Sequence, residues 1–124
     1  MSIGVCMTKG YTTIERIDGH KEWWLNGKPH REDGPAIIKG SGTKSWWIKG
    51  KLHREDGPAI EYEDGHKEWF LHGQLHREGG PAVERSDGSR AWFLNDKEYT
   101  KEEYYKRLYK KGLISKEDYF LELI

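Results

Sequence analysis

The sequence predicts a mainly β protein: an elongated, twisted antiparallel sheet of 23-residue β-hairpin repeats with a short C-terminal helical cap. Three observations predict it. Trp23, Trp46, Trp69 and Trp92 recur every 23 residues, each followed by a second aromatic residue, Trp24, Trp47, Phe70 and Phe93. The segment HREDGPA at 30–36 returns unchanged at 53–59 and as HREGGPA at 76–82. The pairs Asp18-Gly19, Ser41-Gly42, Asp64-Gly65 and Asp87-Gly88 keep the same register. A fixed period of this length marks a stacked array, in which each unit buries its faces against its neighbours.

Residues 1–10 read as an N-terminal lead-in and 11–99 as an array of four hairpins. In each unit a first strand carries Ile14, Ile37, Ile60 or Val83, and an Xaa-Gly pair makes a tight two-residue turn into a second strand. Because strand side chains alternate, the first tryptophans share a face with Leu25, Ile48, Leu71 and Leu94. Trp24, Trp47, Phe70 and Phe93 fall on the other face. Both faces therefore carry an aromatic ladder: one is expected to be core and the other covered by the inter-hairpin loops or available to a partner, and the sequence does not say which. HREDGPA links one hairpin to the next: Asp-Gly favours a positive-φ turn, Pro begins the next strand without an amide donor, and Ala permits close stacking.

Residues 100–124 read as the helical cap. Thr100 with Glu103 forms a capping box, Lys106, Arg107, Lys110 and Lys111 suit the C-terminal end of the dipole, and Gly112 stops the helix. Ser115 caps a second short helix, and Tyr105, Leu108, Tyr109, Leu113, Tyr119, Phe120 and Leu123 supply the apolar side of the cap. Such a cap covers the stacking face that the last repeat would otherwise expose.

The totals bound the function. With 124 residues, 21 Lys plus Arg against 21 Asp plus Glu, and no basic run within the repeats, there is no net charge to draw the chain onto nucleic acid or anionic lipid. Charged residues are 34% of the chain and mean hydropathy is −0.96, so aromatic rather than aliphatic side chains supply much of the apolar area. The single Cys6 excludes an internal disulfide and suggests a reducing compartment. The first ten residues do not form a signal peptide, and no apolar stretch approaches the ~20 residues that span a bilayer. The expectation is a cytoplasmic protein without membrane contact.

The 23-residue period, the Gly-x-x-x-Trp spacing and the following Asn-Gly or its variants resemble MORN-type repeats over about residues 11–99. The HREDGPA element stands where those repeats usually have Gly-x-Gly. It is more similar to the variant W-x-x-N-G-x-x-H-R-x-D-G-P-A repeats of uncharacterised phage and giant-virus proteins. The resemblance implies scaffolding, partner binding and sometimes lipid contact. It also suggests a phage protein, in the host cytoplasm, that binds and inhibits a bacterial antiviral-defence factor.

His30, His53 and His76 invite a metal or catalytic reading. Equivalent atoms of successive two-strand units lie about 10 Å apart, so three equivalent histidines do not meet at one ion. A motif written three times along a line also does not converge on one substrate. No catalytic residue, metal site or cofactor is expected. The favoured reading of the motif is structural: each arginine pairs with a carboxylate of its own or the next loop, and each histidine stacks or donates to a backbone carbonyl. Nucleic acid is disfavoured because each HRED carries two acids for one arginine. The expected function is non-enzymatic protein binding through Trp24, Trp47, Phe70 and Phe93 or through the loop edge. The alternatives are a small anionic ligand such as a nucleotide signal on Arg31, Arg54 or Arg77, and a self-assembling element that forms homo-oligomers through the N-terminal edge near Tyr11–Ile17.

Overall fold

The computed structural model describes residues 3–124. The chain forms a long, open antiparallel sheet with two short helices at its C-terminal end. The strands are β1 (Ile3–Thr8), β2 (Tyr11–Arg16), β3 (Lys21–Leu25), β4 (Lys28–Pro29), β5 (Ile37–Ile38), β6 (Lys44–Ser45), β7 (Trp47–Ile48) and β8 (Lys51–Leu52). They continue as β9 (Ile60–Glu61), β10 (Lys67–Glu68), β11 (Phe70–Leu71), β12 (Gln74–Leu75), β13 (Val83–Glu84), β14 (Arg90–Leu94) and β15 (Lys97–Tyr99), followed by α1 (Lys101–Lys110) and α2 (Lys116–Glu122). The main sheet runs β1-β2-β3-β5-β6-β9-β10-β13-β14-β15. Its inter-unit pairs Glu22↔Ile37, Ser45↔Ile60 and Glu68↔Val83 step by one repeat, so copied letters occupy copied places.

Each unit contains two hairpin turns where the sequence reading expects one. The first, at Asp18-Gly19 and its equivalents, is not a two-residue turn. The amide of Gly19 donates to the carbonyl of Arg16 and the amide of Arg16 to that of His20, with only the glycine at positive φ, which is a three-residue loop ending in a bulge. The second turn lies at Asn26-Gly27, Lys49-Gly50, His72-Gly73 and Asn95-Asp96, where both residues take positive φ. That geometry matches the natural twist of a two-residue hairpin. It folds β7 onto β8 and β11 onto β12 as small sheets of their own.

Between these turns the second strand is interrupted at Trp46 and Trp69, whereas it runs unbroken through Trp23 and Trp92. Trp46 leaves the main sheet, its amide bonded to the carbonyl of Ala59, and the chain continues into the small hairpin. Trp23 and Trp69 repeat that bond to Ala36 and Ala82. All three alanines have no exposed surface, because the units stack directly over them. Both aromatic ladders are half-buried, so neither face is a closed core.

The buried cluster lies instead beneath the cap, where Leu94, Tyr104, Tyr105 and Leu108 pack with Trp92 and Tyr99. Thr100 caps α1 by accepting from the Glu103 amide, and Ser115 does the same for α2 from Asp118. The amides of Gly112 and Leu113 turn back to the carbonyls of Tyr109 and Leu108, closing α1 as its glycine predicts. Tyr104, absent from the expected apolar side, is fully buried, whereas Tyr109, Leu113, Phe120 and Leu123 are exposed. The opposite edge of the sheet is β1, which lies within the segment read as a lead-in. The open edge therefore falls on Ile3–Thr8, and Tyr11–Arg16 is paired on both sides. No helix among the described residues is long and apolar enough to cross a membrane.

Candidate binding clefts

Each HREDGPA loop is built around its arginine. The guanidinium lies on the face of the first tryptophan: Arg31 3.9 Å from the ring centre of Trp23, Arg54 3.8 Å from Trp46, Arg77 3.9 Å from Trp69. Such a contact contributes about 0.5–2 kcal/mol, depending on desolvation. Arg54 Nε donates to Asp56 Oδ1 at 2.9 Å and Nη1 to the Pro58 carbonyl at 3.0 Å; Arg31 makes the same two bonds to Asp33 and Pro35. The loop glycine closes the other side. A Cβ on Gly57 would stand 2.9 Å from Arg54 Cζ, and one on Gly34 3.0 Å from Arg31 Cζ. Neither glycine lies at positive φ, so the Asp-Gly pair here serves close approach and not the left-handed turn expected from sequence.

The third copy differs. Gly79 supplies no carboxylate, and Arg77 Nη1 bonds the Pro81 carbonyl at 3.0 Å and Glu84 Oε1 at 3.4 Å. The Tyr104 hydroxyl of α1 donates to the Arg77 carbonyl and accepts from the Gly80 amide. Burial pushes this hydroxyl well above the ordinary tyrosine range.

The histidines are joints between units. The backbone amides of Lys49, His72 and Asn95 donate to Nδ1 of His30, His53 and His76 at 2.9, 2.9 and 3.0 Å. Each ring therefore accepts from the backbone, where the sequence reading expects it to stack or to donate to a carbonyl. A neutral ring accepting at Nδ1 carries its proton on Nε2. That atom faces Glu32 and Glu55 at 3.6 Å and Glu78 at 3.3 Å. Each loop is tied forward again by a backbone hydrogen bond, the amide of Arg31 donating to the Trp47 carbonyl, that of Arg54 to Phe70 and that of Arg77 to Phe93.

Three clefts follow one another along these loops. The largest, about 580 Å³, lies between Arg31–Pro35 and Trp46, Ile48, His53 and Arg54. The next, about 570 Å³, repeats it around Trp69, Leu71, His76 and Arg77, and a third of about 420 Å³ opens between Tyr11 and Trp23. Glu32, Asp33, Glu55 and Asp56 turn outward, with side chains 79–86% exposed. The arginines are turned inward with Nε and Nη1 occupied, so an anion that takes Nε of Arg31 or Arg54 competes with Asp33 or Asp56.

The second aromatic ladder lines none of these clefts. Trp24 Nε1 donates to Glu22 and Trp47 Nε1 to Ser45, both at 2.8 Å, so each indole is satisfied two residues back along the chain. Burial alone would raise the Glu22 carboxyl, but the bonds from His20 and Trp24 outweigh it and hold the group below the usual carboxylate range.

A fourth cleft, on the side of the second turns, has the opposite charge. Lys28, Ile48, Lys49, Lys51, His53 and His72 enclose about 380 Å³. The lysines are scattered in sequence, which hides this cluster from a search for a basic run; the available signal is the Asn-Gly turn with its 23-residue step. Among the described residues, no group of three or more His, Cys, Asp and Glu is placed to hold a metal ion. No protein-family model matches the chain, and neither a curated protein nor a solved structure matches it.

Proposed function

We propose that the chain is a non-enzymatic repeat module that binds another protein along the row of clefts between its HRED loops. The observation that carries this reading is the row itself: equivalent clefts side by side, each floored by a tryptophan and rimmed by outward carboxylates. A periodic acidic groove suits an extended basic segment better than a compact substrate. The polar groups that suggest chemistry, the imidazoles and guanidiniums, are engaged in holding the units together. The resemblance to viral repeats extends the proposal to a phage protein that occupies a bacterial defence factor in the host cytoplasm.

The test is affinity capture from bacterial lysate by the full chain, beside a variant carrying Glu32→Lys, Glu55→Lys and Glu78→Lys. These side chains are exposed, so the melting temperature stays within a few degrees. The proposal expects a dominant captured protein that the variant loses. Retention by this variant, with loss on Trp47→Ser plus Phe70→Ser in a folded chain, moves the contact to the second aromatic ladder.

A second reading, self-assembly, is favoured by the open edge of β1, where Val5 and Met7 are 59% and 75% exposed. Unpaired edges template further strands. Sedimentation supports it if mass rises with concentration and Val5→Lys abolishes the rise.

A further inference from the structure

We infer that the cleft formed by Lys28, Ile48, Lys49, Lys51, His53 and His72 binds a small ligand carrying two or more phosphate groups. The inference is independent of the partner reading, which concerns the acidic loops. Its first support is charge. Lys28, Lys49 and Lys51 line one cleft of about 380 Å³ with no carboxylate among the lining residues, and none of the three forms an ion pair among the described residues. Lys21, by contrast, is paired with Glu15 at 3.5 Å. The acid facing a lining residue is Glu55, 3.6 Å from His53 Nε2. Like charges held together repel, and a polyanion relieves that repulsion on binding.

The second support is that the cluster is built on fixed backbone. The second turns stack, the Gly50 amide donating to the Pro29 carbonyl at 2.9 Å and the Gly73 amide to Leu52 at 2.8 Å. The methylene stem of Lys28 lies across Gly50, within 3.3–3.5 Å of where a Cβ would stand, and that of Lys51 lies across Gly73 at 3.6–3.8 Å. Stems laid on backbone leave less freedom for the ammonium groups to lose when a ligand binds. His53 is locked by the His72 amide on its Nδ1, and the two rings stand 4.5 Å apart. The His72 imidazole itself makes no hydrogen bond among the described residues.

The third support is that the cluster is not repeated. A joint needed for stacking recurs from unit to unit, as the Arg-on-Trp contact does at Trp23, Trp46 and Trp69. One repeat later, Lys28, Lys49 and Lys51 become Lys51, His72 and Gln74, and the charge disperses. Stacking therefore does not require three lysines here. Ammonium groups recognise phosphate as point charges, Ile48 offers an apolar floor for the remainder of a ligand, and the volume falls within the ~300–1,000 Å³ of small-molecule sites.

The test is calorimetric titration of the full chain with inorganic pyrophosphate and with ADP at low salt. It is repeated on a variant carrying Lys28→Asn, Lys49→Asn and Lys51→Gln. The second exchange copies Asn26 and the third copies Gln74, the residues that neighbouring units carry at those places, so the turns are kept. The expected result is binding that weakens at least tenfold in the variant, with unchanged melting. Equal affinity for the two probes indicates a site that reads phosphate alone, and tighter ADP a site that also uses Ile48; both support the inference. Absence of binding, equal binding by the variant, or tighter binding of a single-stranded oligonucleotide than of either probe would overturn it. Should the triple variant fail to fold, the single Lys51→Glu exchange gives the same readout.

Discussion

Trp46 and Trp92 occupy the same place in their units, yet opposite chemistries cover them. Over Trp46 lies the guanidinium of Arg54, held by Asp56 and by a backbone carbonyl. Trp92 has no arginine; it packs instead against the cluster of Leu94, Tyr104, Tyr105 and Leu108. The difference follows from what comes next in the chain. A polar loop can close a unit when a following unit accepts its amides, as the Phe70 carbonyl accepts from Arg54. The fourth unit has no successor, and a loop there would leave those groups unpaired. A helix satisfies most of its backbone internally, so it can end the array and bring apolar side chains with it. Tyr104 joins the two regimes, since its hydroxyl serves the Arg77 and Gly80 backbone in the third loop.

The comparison breaks most severely at the cap. Leu108→Ala removes a fully buried side chain and is expected to cost about 2–5 kcal/mol in denaturant unfolding. A cost below about 1 kcal/mol would mean that the cap adds little to the array. Next comes the loop. Gly57→Ala puts a methyl 2.9 Å from Arg54 Cζ and is expected to cost about 1–3 kcal/mol. Gly79→Ala meets nothing within 4 Å and should stay within about 0.5 kcal/mol. Equal effects at the two positions would show that the stacked arginine is not what requires glycine.

A smaller loss than that at Gly57 sharpens the junction. Tyr104→Phe removes both hydroxyl bonds and is expected to cost about 1–2 kcal/mol at neutral pH. The folded state favours the protonated hydroxyl, so that contribution is complete below the ordinary tyrosine value of 10.0. It is lost as pH rises through the higher folded value. Wild-type stability therefore falls above about pH 10, and the gap to Tyr104→Phe narrows. A constant gap up to unfolding would contradict the buried, neutral hydroxyl.

Much of the scaffold is legible in the sequence because translation copies letters. The period locates the four hairpins, and Thr100, Gly112 and Ser115 mark the helix ends by local backbone chemistry. The second turn is also written there, since Asn26-Gly27 is a strong short hairpin signal. Its equivalents conceal it: Lys49-Gly50 and His72-Gly73 put lysine and histidine in the left-handed region, which side chains seldom adopt. The loop site is only half legible. Identity and spacing of Arg54 and Asp56 suggest a pair within the loop, and that pair forms. The stack on Trp46 and the glycine behind it depend on how the loop folds back over the strand, which no local pattern announces. The Lys28, Lys49 and Lys51 cluster likewise exists only after the second turns stack.

The account rests on the three HRED motifs being equivalent joints spaced one unit apart, and nitrogen NMR of the histidine rings tests this most directly. It predicts that His30, His53 and His76 are all protonated at Nε2 at neutral pH, with Nδ1 hydrogen-bonded to the amides of Lys49, His72 and Asn95. Protonation at Nδ1 in these rings, or a joint response of all three to added zinc, would contradict it.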